Sequence, residues 1–266
     1  MPTLLNPDYR MTIQFSLGGL SFAVFDSAAH AITDMELHQS DGLNSSDELF
    51  RTLERDLKSR DLSNGNCQSI TCIIDGRTSA LIPSEVFNSN ESDKFLSFGF
   101  TVPKGYITAH DPIASLQAEN LYAYPETLRN LILSKWPKAE ICHSTTVFLE
   151  SLPQSESPVV YVNVRNRDFD MAVMKDRLLF FNNFKFQTKV DFSYFLLFTM
   201  QQHELSGLET TVYFSGLIQP SSEIIDLCRR YLKDIRFVSK PNDFNVKESL
   251  SEVPFQYYYN HYQLLK

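Results

Sequence analysis

The sequence predicts an α/β protein of two lobes, each with a mixed β-sheet that begins as an antiparallel three-stranded meander. Each half of the chain opens with three short, strand-like runs, which are followed by a helix start and a further strand. The segment 151–158 is rich in serine and proline and is the best linker in the chain. We therefore expect an N-terminal lobe over residues 1–155 and a C-terminal lobe over residues 156–266.

The composition is that of a globular protein with a substantial core, since 43% of the 266 residues are hydrophobic and 21% are charged. The 21 phenylalanines and 12 tyrosines favour well-filled β layers, whereas 9 glycines are few for several phosphate-cradling loops. The net charge is −8, and the sequence has no lysine- or arginine-rich run. A nucleic-acid partner is not expected, because it would require a clustered basic surface.

Membrane insertion is not expected either, because no stretch approaches the ~20 consecutive apolar residues that span a bilayer. Residues 1–10 lack the pattern of a secretion signal. The four cysteines are scattered without CxxC spacing, and the six histidines show neither HxH nor HExxH spacing. These features predict a cytoplasmic protein with reduced thiols and no metal site.

The first half is predicted to contain three strands, a helix and a fourth strand. Leu20, Phe22 and Val24 alternate with small residues, which is typical of a strand. Ser45 and Glu48 have the spacing of a capping box at the start of a helix. The predicted strands are Ile13–Phe15, Leu20–Phe25, Ile32–His38 and Gln68–Ile74, and the helix should bury Leu49, Phe50, Leu53 and Leu57.

The second half repeats this order of elements with almost no sequence identity to the first half. Thr188 and Asp191 form a capping-box-like start, and the helix that follows is apolar on several sides, so it should be buried nearly all round. A second helix opens at residues 220–222 and should bury a stripe that includes Tyr231. The predicted strands are Val159–Val164, Phe169–Met174, Leu178–Lys185, Thr210–Phe214 and Ile235–Val238.

The middle and the end of the chain carry further signals. Between the halves we predict a polar loop at Asn88–Asp93, a helix over Pro125–Trp136, a strand over Ala139–His143 and a helix from Ser144 to Leu152. The aromatic tail at 255–262 is expected to be a strand or extended arm packed on the body; the alternative is that it stacks a ligand or docks a partner.

The strands around 15–22 and 179–184 give the chain a resemblance to the actin-like ATPase superfamily, with its ribonuclease H-like fold. This superfamily includes actin, heat-shock chaperones, sugar kinases and pilus-assembly proteins. More closely, the chain resembles an uncharacterised family of Bacteroidetes-type bacteria within that superfamily. The resemblance covers nearly the whole chain and implies a two-lobed ATPase scaffold.

In the superfamily, the turn after the first strand of each lobe carries an Asp-x-Gly pattern, whose carboxylate orients hydrated Mg²⁺ and whose glycine lets the backbone approach phosphate. Here the first lobe has Ser16-Leu17-Gly18 and the second has Asn163-Val164-Arg165, so neither turn keeps the acid. The Gly-Gly pair of the adenosine side is matched by Ser215-Gly216. The resemblance thus implies a degenerate nucleotide site composed of Ser16, Gly18, Gly19, Asn163, Arg165, Ser215 and Gly216.

The leading functional prediction is a non-catalytic actin-like scaffold or binding module with a protein partner and no cofactor. The alternative is a divergent, Mg-ATP-dependent phosphotransferase in the interlobe cleft, with Asp75 as base and Arg165 on the phosphate. A small-ligand sensor is a third hypothesis. Asp75-Gly76 is otherwise an ordinary turn pair, Arg165 a solvated turn residue and Asp170 an edge polar residue. His143-Ser144 also places a base beside a nucleophile, although neighbours on a strand end point apart.

Overall fold

The computed structural model describes residues 8–16, 19–39, 67–240, 245–250 and 252–265, together with the helical residues 48, 51, 52, 55 and 58. Ser45 of the predicted capping box and the apolar positions 49, 50, 53 and 57 lie outside the described residues, as does Gly18.

The described residues alternate between strands and mostly short helices. The strands are β1 (Tyr9–Ser16), β2 (Gly19–Asp26), β3 (Ala31–Gln39), β4 (Ser69–Ile74), β5 (Ser79–Pro83), β6 (Tyr106–Ile113), β7 (Ala118–Pro125), β8 (Glu140–His143), β9 (Val159–Val164), β10 (Asp168–Met174), β11 (Leu178–Lys185), β12 (Val212–Gly216), β13 (Ile235–Phe237) and β14 (Asn245–Val246). The α-helices with described bounds are α1 (Ser92–Ser97), α2 (Glu126–Lys135), α3 (Ser144–Glu150), α4 (Lys189–Gln202), α5 (Glu223–Cys228) and α6 (Tyr259–Leu265).

The chain divides into two compact units. The first unit comprises Met1–Glu150, Asn242–Glu252 and Asn260–Lys266, and the second comprises Ser151–Pro241 and Val253–Tyr259. The boundary expected near 155 assigned every later residue to the second lobe, whereas the contacts group two C-terminal segments with the first unit. The physical reason is that β14 pairs with β3 and that α6 contacts β1 and β2 through its side chains.

The main sheet of the first unit has the order β14-β3-β2-β1-β4-β8. Strands β1, β2 and β3 form the predicted antiparallel meander, and β1, β4 and β8 run parallel to one another. One face packs Met11, Ile13 and Phe15 against Leu128 and Ile132 of α2. The fold class predicted from the sequence is therefore confirmed in this unit.

A second sheet in the first unit, with the order β5-β7-β6, was not predicted. Its middle strand β7 buries Leu121 and Tyr122, whereas the edge strand β6 contains His110, Asp111 and Pro112. An edge strand tolerates proline and charged residues, so its sequence need not show the alternating pattern of a strand. The loop predicted at Asn88–Asp93 is instead a 3₁₀ turn at Ser89–Glu91 that leads into α1.

The sheet of the second unit has the order β11-β10-β9-β12-β13, so it follows the same plan as β3-β2-β1-β4-β8. Strands β9, β10 and β11 are antiparallel, while β9, β12 and β13 are parallel. The core lies between this sheet and helices α4 and α5. Phe192 of α4 contacts Phe169 of β10 and Phe214 of β12, with ring centroids 4.3 and 6.4 Å apart.

Helix α4 begins as predicted but is not buried all round. Thr188 Oγ1 accepts from the Asp191 backbone N–H at 3.1 Å, and Asp191 Oδ2 accepts from the Thr188 N–H at 3.0 Å. However, Val190, Tyr194 and Phe198 are 62%, 58% and 45% exposed. The buried stripe predicted for the helix that opens at residues 220–222 is also wrong at Tyr231, whose side chain is exposed. Among the described elements, the helix packs on one sheet face and beside the short α5, which leaves its outer side uncovered.

The aromatic tail is helical, so the predicted strand or extended arm is wrong. Residues Phe255–Tyr258 form a 3₁₀ helix in the second unit, where Gln256 Nε2 donates to the Ile218 carbonyl at 3.0 Å. Helix α6 belongs to the first unit from Asn260 onward. There, the two ring nitrogens of His261 contact Thr12 Oγ1 and Ser21 Oγ, each at 2.8 Å.

Within the part of the chain that the structure describes, no helix is long and apolar enough to cross a membrane. All four cysteines are free thiols, two of them buried. Burial raises the pKa of Cys72 to about 12 and that of the half-buried Cys67 to about 11. Neither is therefore a ready thiolate at neutral pH.

The buried His261 predicts a defined pH dependence of stability. Burial lowers its pKa from 6.5 to about 3, so the unfolded chain takes up a proton below pH 6.5 while the folded chain does not. The free energy of unfolding should accordingly fall as the pH falls from 6.5 toward about 3. Urea titrations at several pH values in this range should show a smaller change of the unfolding free energy with pH for His261→Gln than for wild type. The variant should also be less stable at neutral pH, because its hydrogen bonding is altered. The surface variant His110→Gln is the control, and an unchanged slope in His261→Gln would contradict the prediction.

Candidate functional site

The predicted site residues fall into two groups, one in each unit. In the first unit, Ser16 ends β1, Asp75 follows β4 and His143 ends β8. These three strands are parallel neighbours, so their carboxyl ends lie at the same edge of the sheet. In α/β sheets this edge is where ligands bind, and it is the correct place to look for a site.

Ser16 and Gly19 are engaged with the backbone of the meander itself. Ser16 Oγ donates to the Gly19 carbonyl at 3.1 Å. Gly19 has φ +137°, and a Cβ built on it would lie 1.8 Å from the His38 carbonyl oxygen. Glycine is thus required here by the close approach of β2 and β3, whether or not a ligand binds.

Asp75 is buried and accepts hydrogen bonds from polar side chains of two segments. Its Oδ1 accepts from Ser144 Oγ at 2.8 Å, and its Oδ2 accepts from Gln14 Nε2 at 3.3 Å. Gln14 Oε1 in turn accepts from Asn260 Nδ2 of α6 at 3.2 Å. The Ser144 hydroxyl is therefore oriented by a carboxylate, while Nδ1 of the neighbouring His143 accepts from the Thr145 backbone N–H at 3.2 Å.

A second buried carboxylate, Asp111, was missed in the sequence. Its Oδ2 accepts from the His143 backbone N–H at 2.7 Å and from Thr146 Oγ1 at 2.8 Å, and its Oδ1 accepts from Tyr122 O–H at 3.1 Å. Burial raises the pKa of Asp111, and these hydrogen bonds oppose that rise. Its partners lie 11 to 35 residues away, so no local spacing could have revealed the cluster.

In the second unit, Arg165 is clamped by two carboxylates. Its Nη1 and Nη2 donate to Asp170 Oδ2 and Oδ1 at 2.5 and 2.9 Å, and its Nε donates to Asp168 Oδ1. The Arg165 side chain is only 13% exposed, and Asp170 is buried and accepts a further bond from Asn183 Nδ2 at 3.1 Å. Arg165 is thus not a solvated turn residue, and Asp170 is not an edge polar residue, because each satisfies the other in a bidentate pair.

The remaining predicted residues of the second unit are also joined to one another. Asn163 and Ser215 are register partners on the parallel strands β9 and β12, and Ser215 Oγ donates to Asn163 Oδ1 at 3.1 Å. Gly216 has φ +81°, and a Cβ there would lie 2.1 Å from the Val164 carbonyl oxygen. As at Gly19, the approach of two backbones requires glycine at this position.

The three buried carboxylates, Asp75, Asp111 and Asp170, therefore act as acceptors for internal hydroxyl, amide and guanidinium groups. Across the described residues, no group of three or more histidine, cysteine, aspartate or glutamate side chains is placed to hold a metal ion.

Two sheets of one plan, each with an antiparallel meander and polar strand ends, define the actin-like ATPase fold, and solved structures share it. A Bacteroides thetaiotaomicron protein with this fold and unknown function is 16% identical, with a TM-score of 0.76 over 89% of this chain and 94% of that one. The PilM–PilN type IV pilus biogenesis complex gives 9% identity and a TM-score of 0.64 over 96% and 97% of the two chains. The ethanolamine utilization protein EutJ of Carboxydothermus hydrogenoformans gives 8% and 0.50 over 88% and 86%.

Residues 3–235 match the family described as "Protein of unknown function (DUF3822)", and the chain belongs to that family. The resemblance inferred from the strand sequences is thereby confirmed, both for the fold and for membership of an uncharacterised family. No curated protein matches the sequence.

The Arg165–Asp170 pair should be a major determinant of stability in the second unit. Arg165→Met leaves a buried carboxylate without its counter-charge, and breaking a buried pair in this way costs about 3–5 kcal/mol. Chemical denaturation should show this loss, and adding Asp170→Asn should recover part of it because the unpaired charge is removed. Arg229→Met, which breaks the exposed pair with Asp226, is the matched control and should change stability little. Equal losses in the two single variants would disprove the assigned role.

Proposed function

We propose that this chain is a non-catalytic, actin-like binding module in which internal polar contacts replace the nucleotide site. The observation that carries the proposal is Arg165. It stands where the superfamily pattern has the phosphate-turn glycine, and its guanidinium is committed to Asp168 and Asp170.

The residues at the two turns do not fit a magnesium nucleotide. Phosphate binding at such a turn needs close approach of the backbone, and hydrated Mg²⁺ needs a carboxylate to orient it. The positions of that carboxylate hold Ser16 and Asn163, which are uncharged, and Asn163 is bonded to Ser215. Asp168 and Asp170 are acidic, but both face Arg165. These residues therefore support no catalytic step on a nucleotide.

The function proposed for this scaffold is to bind a protein partner. One similar structure is that of the PilM–PilN type IV pilus biogenesis complex, in which a chain of this fold is part of an assembly. A cytoplasmic setting is part of the proposal, because four free thiols, two of them buried, suit a reducing compartment.

The alternative is a divergent phosphotransferase with Asp75 as base, and one observation favours it. Asp75 is a buried carboxylate at the carboxyl end of β4, and the Ser144 hydroxyl is bonded to it. A carboxylate at this edge could accept a proton from a substrate hydroxyl if the Ser144 contact were exchanged.

Thermal unfolding with Mg-ATP tests the proposal directly. Ligand present at a hundred times its dissociation constant stabilises a folded protein by about 2.7 kcal/mol, which is roughly 5–10 °C in Tm for a chain of this size. We expect no shift with millimolar Mg-ATP or Mg-ADP, compared with Mg²⁺ alone. A shift that requires both nucleotide and magnesium would overturn the proposal and support the phosphotransferase.

The Asp75→Asn variant tests the alternative separately. Asparagine keeps the shape and can still accept from Ser144, so the variant should fold, but it cannot act as a base at neutral pH. On our proposal, purified wild type and Asp75→Asn release phosphate from ATP at the same background rate. Turnover that is present in wild type and lost in a folded Asp75→Asn would establish the alternative instead.

A further inference from the structure

Strand β11 forms a long edge of the sheet in the second unit. Among the described strands, β11 and β13 are the two outermost strands of that sheet. Strand β13 has three residues, whereas β11 has eight. The neighbouring strand β10 buries six of its seven residues, but none of the eight residues of β11 is buried. A long edge strand presents a row of backbone N–H and C=O groups with which a further strand can pair.

In the first unit, the chain itself covers the corresponding edge of the meander. The short strand β14 pairs in parallel with Ala31 and Ile32 at the beginning of β3. The Asn245 N–H donates to the His30 carbonyl at 3.1 Å. The Lys247 N–H donates to the Ile32 carbonyl, also at 3.1 Å. The sheet plan that the two units share therefore accepts an added strand at the edge of its meander.

The two edge strands also share a bulge near their beginning. The register of β3 skips Thr33 and that of β11 skips Leu179, so each strand has one extra residue there. Strand β14 lies directly before this bulge, since its last pairing is with Ile32. Leu178 holds the same position in β11. A bulge can protect an edge from pairing, but the example of β3 shows that the residues just before it still accept a strand.

The charges at the beginning of β11 indicate which kind of strand would fit. Lys175 and Arg177 are exposed just before β11, and with Asp176 between them they leave a net positive charge. Strand β11 itself contains no acidic residue. In the first unit the signs are reversed, because β3 contains two acidic residues and β14 is followed by Lys247. Opposite charges on paired strands are favourable, so the complement of β11 is an acidic strand.

We propose that the beginning of β11 binds a short extended segment of a protein partner, which pairs in parallel with β11 and carries an acidic residue beside Arg177. Main-chain hydrogen bonds hold such a segment, and the flanking charges select its sequence. The inference rests on the proposed role as a protein-binding module and names a surface for that role. A magnesium-dependent nucleotide shift would overturn the role, whereas an edge that binds no segment leaves the role standing, so the two failures are distinguishable.

A second copy of the chain does not fit this edge. Antiparallel pairing of β11 with itself would bring Arg177 of one copy toward Lys185 of the other at both ends of the pair. A β14 segment supplied by another copy would place Lys247 beside Arg177. Like charges across paired strands are destabilising in both arrangements. The occupant is therefore a segment of a different protein.

Selection from a displayed library of random linear peptides tests the site. Peptides enriched on wild type should contain apolar residues in alternation and at least one Asp or Glu. Arg177→Glu should bind these peptides about tenfold more weakly, because an attraction becomes a repulsion, and its own selection should yield Lys or Arg instead. Lys233→Glu is the matched control, since it reverses an exposed basic residue just before the other edge strand, β13. It should bind the peptides like wild type.

Leu178→Pro tests the main-chain pairing. Proline removes one backbone N–H, and an edge strand tolerates it where that N–H faces away from the sheet. The folded variant, identified by its Tm and circular dichroism, should not bind the enriched peptides; if it does not fold, Arg177→Glu decides. Enrichment of no acidic class, equal binding to Arg177→Glu, or undiminished binding to folded Leu178→Pro would each overturn the proposal. A wild-type dimer in sedimentation velocity that Leu178→Pro abolishes would assign the edge to a second copy and overturn it as well.

Discussion

The buried pair between Arg165 and Asp170 is the interaction on which the polar end of the second unit depends. A charge that leaves water loses several kcal/mol of hydration, and only close, well-aligned partners offset that loss. Here the guanidinium meets Asp170 through two nitrogens and Asp168 through a third, while Asn183 also bonds to Asp170. The pair fixes the turn between β9 and β10, and it commits the Arg165 guanidinium and the Asp168 and Asp170 carboxylates to one another.

The glycines at the strand ends show why a glycine in the sequence does not by itself identify a ligand site. Gly19 and Gly216 both have positive φ, and at each of them a side chain would collide with a neighbouring backbone oxygen, that of His38 or Val164. The close packing of neighbouring strands is sufficient to explain why glycine is needed at both positions. Gly216, which matches the adenosine-side glycine of the ATPase pattern, is therefore compatible with a chain that binds no nucleotide, since the fold itself requires glycine there.

Elements that depend on short-range sequence signals were predicted correctly, whereas contacts between residues far apart in the sequence were missed. The alternation in β2 and the Thr188–Asp191 box are short-range signals, and both elements form as expected. The sheet containing β6 was missed, because an edge strand can carry His110, Asp111 and Pro112 without strand-like letters. The return of α6 to the first unit rests on contacts such as that of His261 with Thr12, 249 residues away in sequence. Periodicity also cannot tell a buried helix side from an uncovered one, hence the error at Tyr194.

The two units share one strand order but satisfy their polar strand ends differently. In the first unit, Asp75 and Asp111 are held by hydroxyl and amide groups, whereas in the second unit Asp170 is held by a guanidinium. Buried polar groups must be paired, so a scaffold without a ligand needs internal partners in its place. Replacing Arg165 with glycine alone would leave Asp170 buried without its counter-charge. On the proposed function, the internal contacts are therefore part of the stability of the fold, and a nucleotide site could return only through several coupled changes.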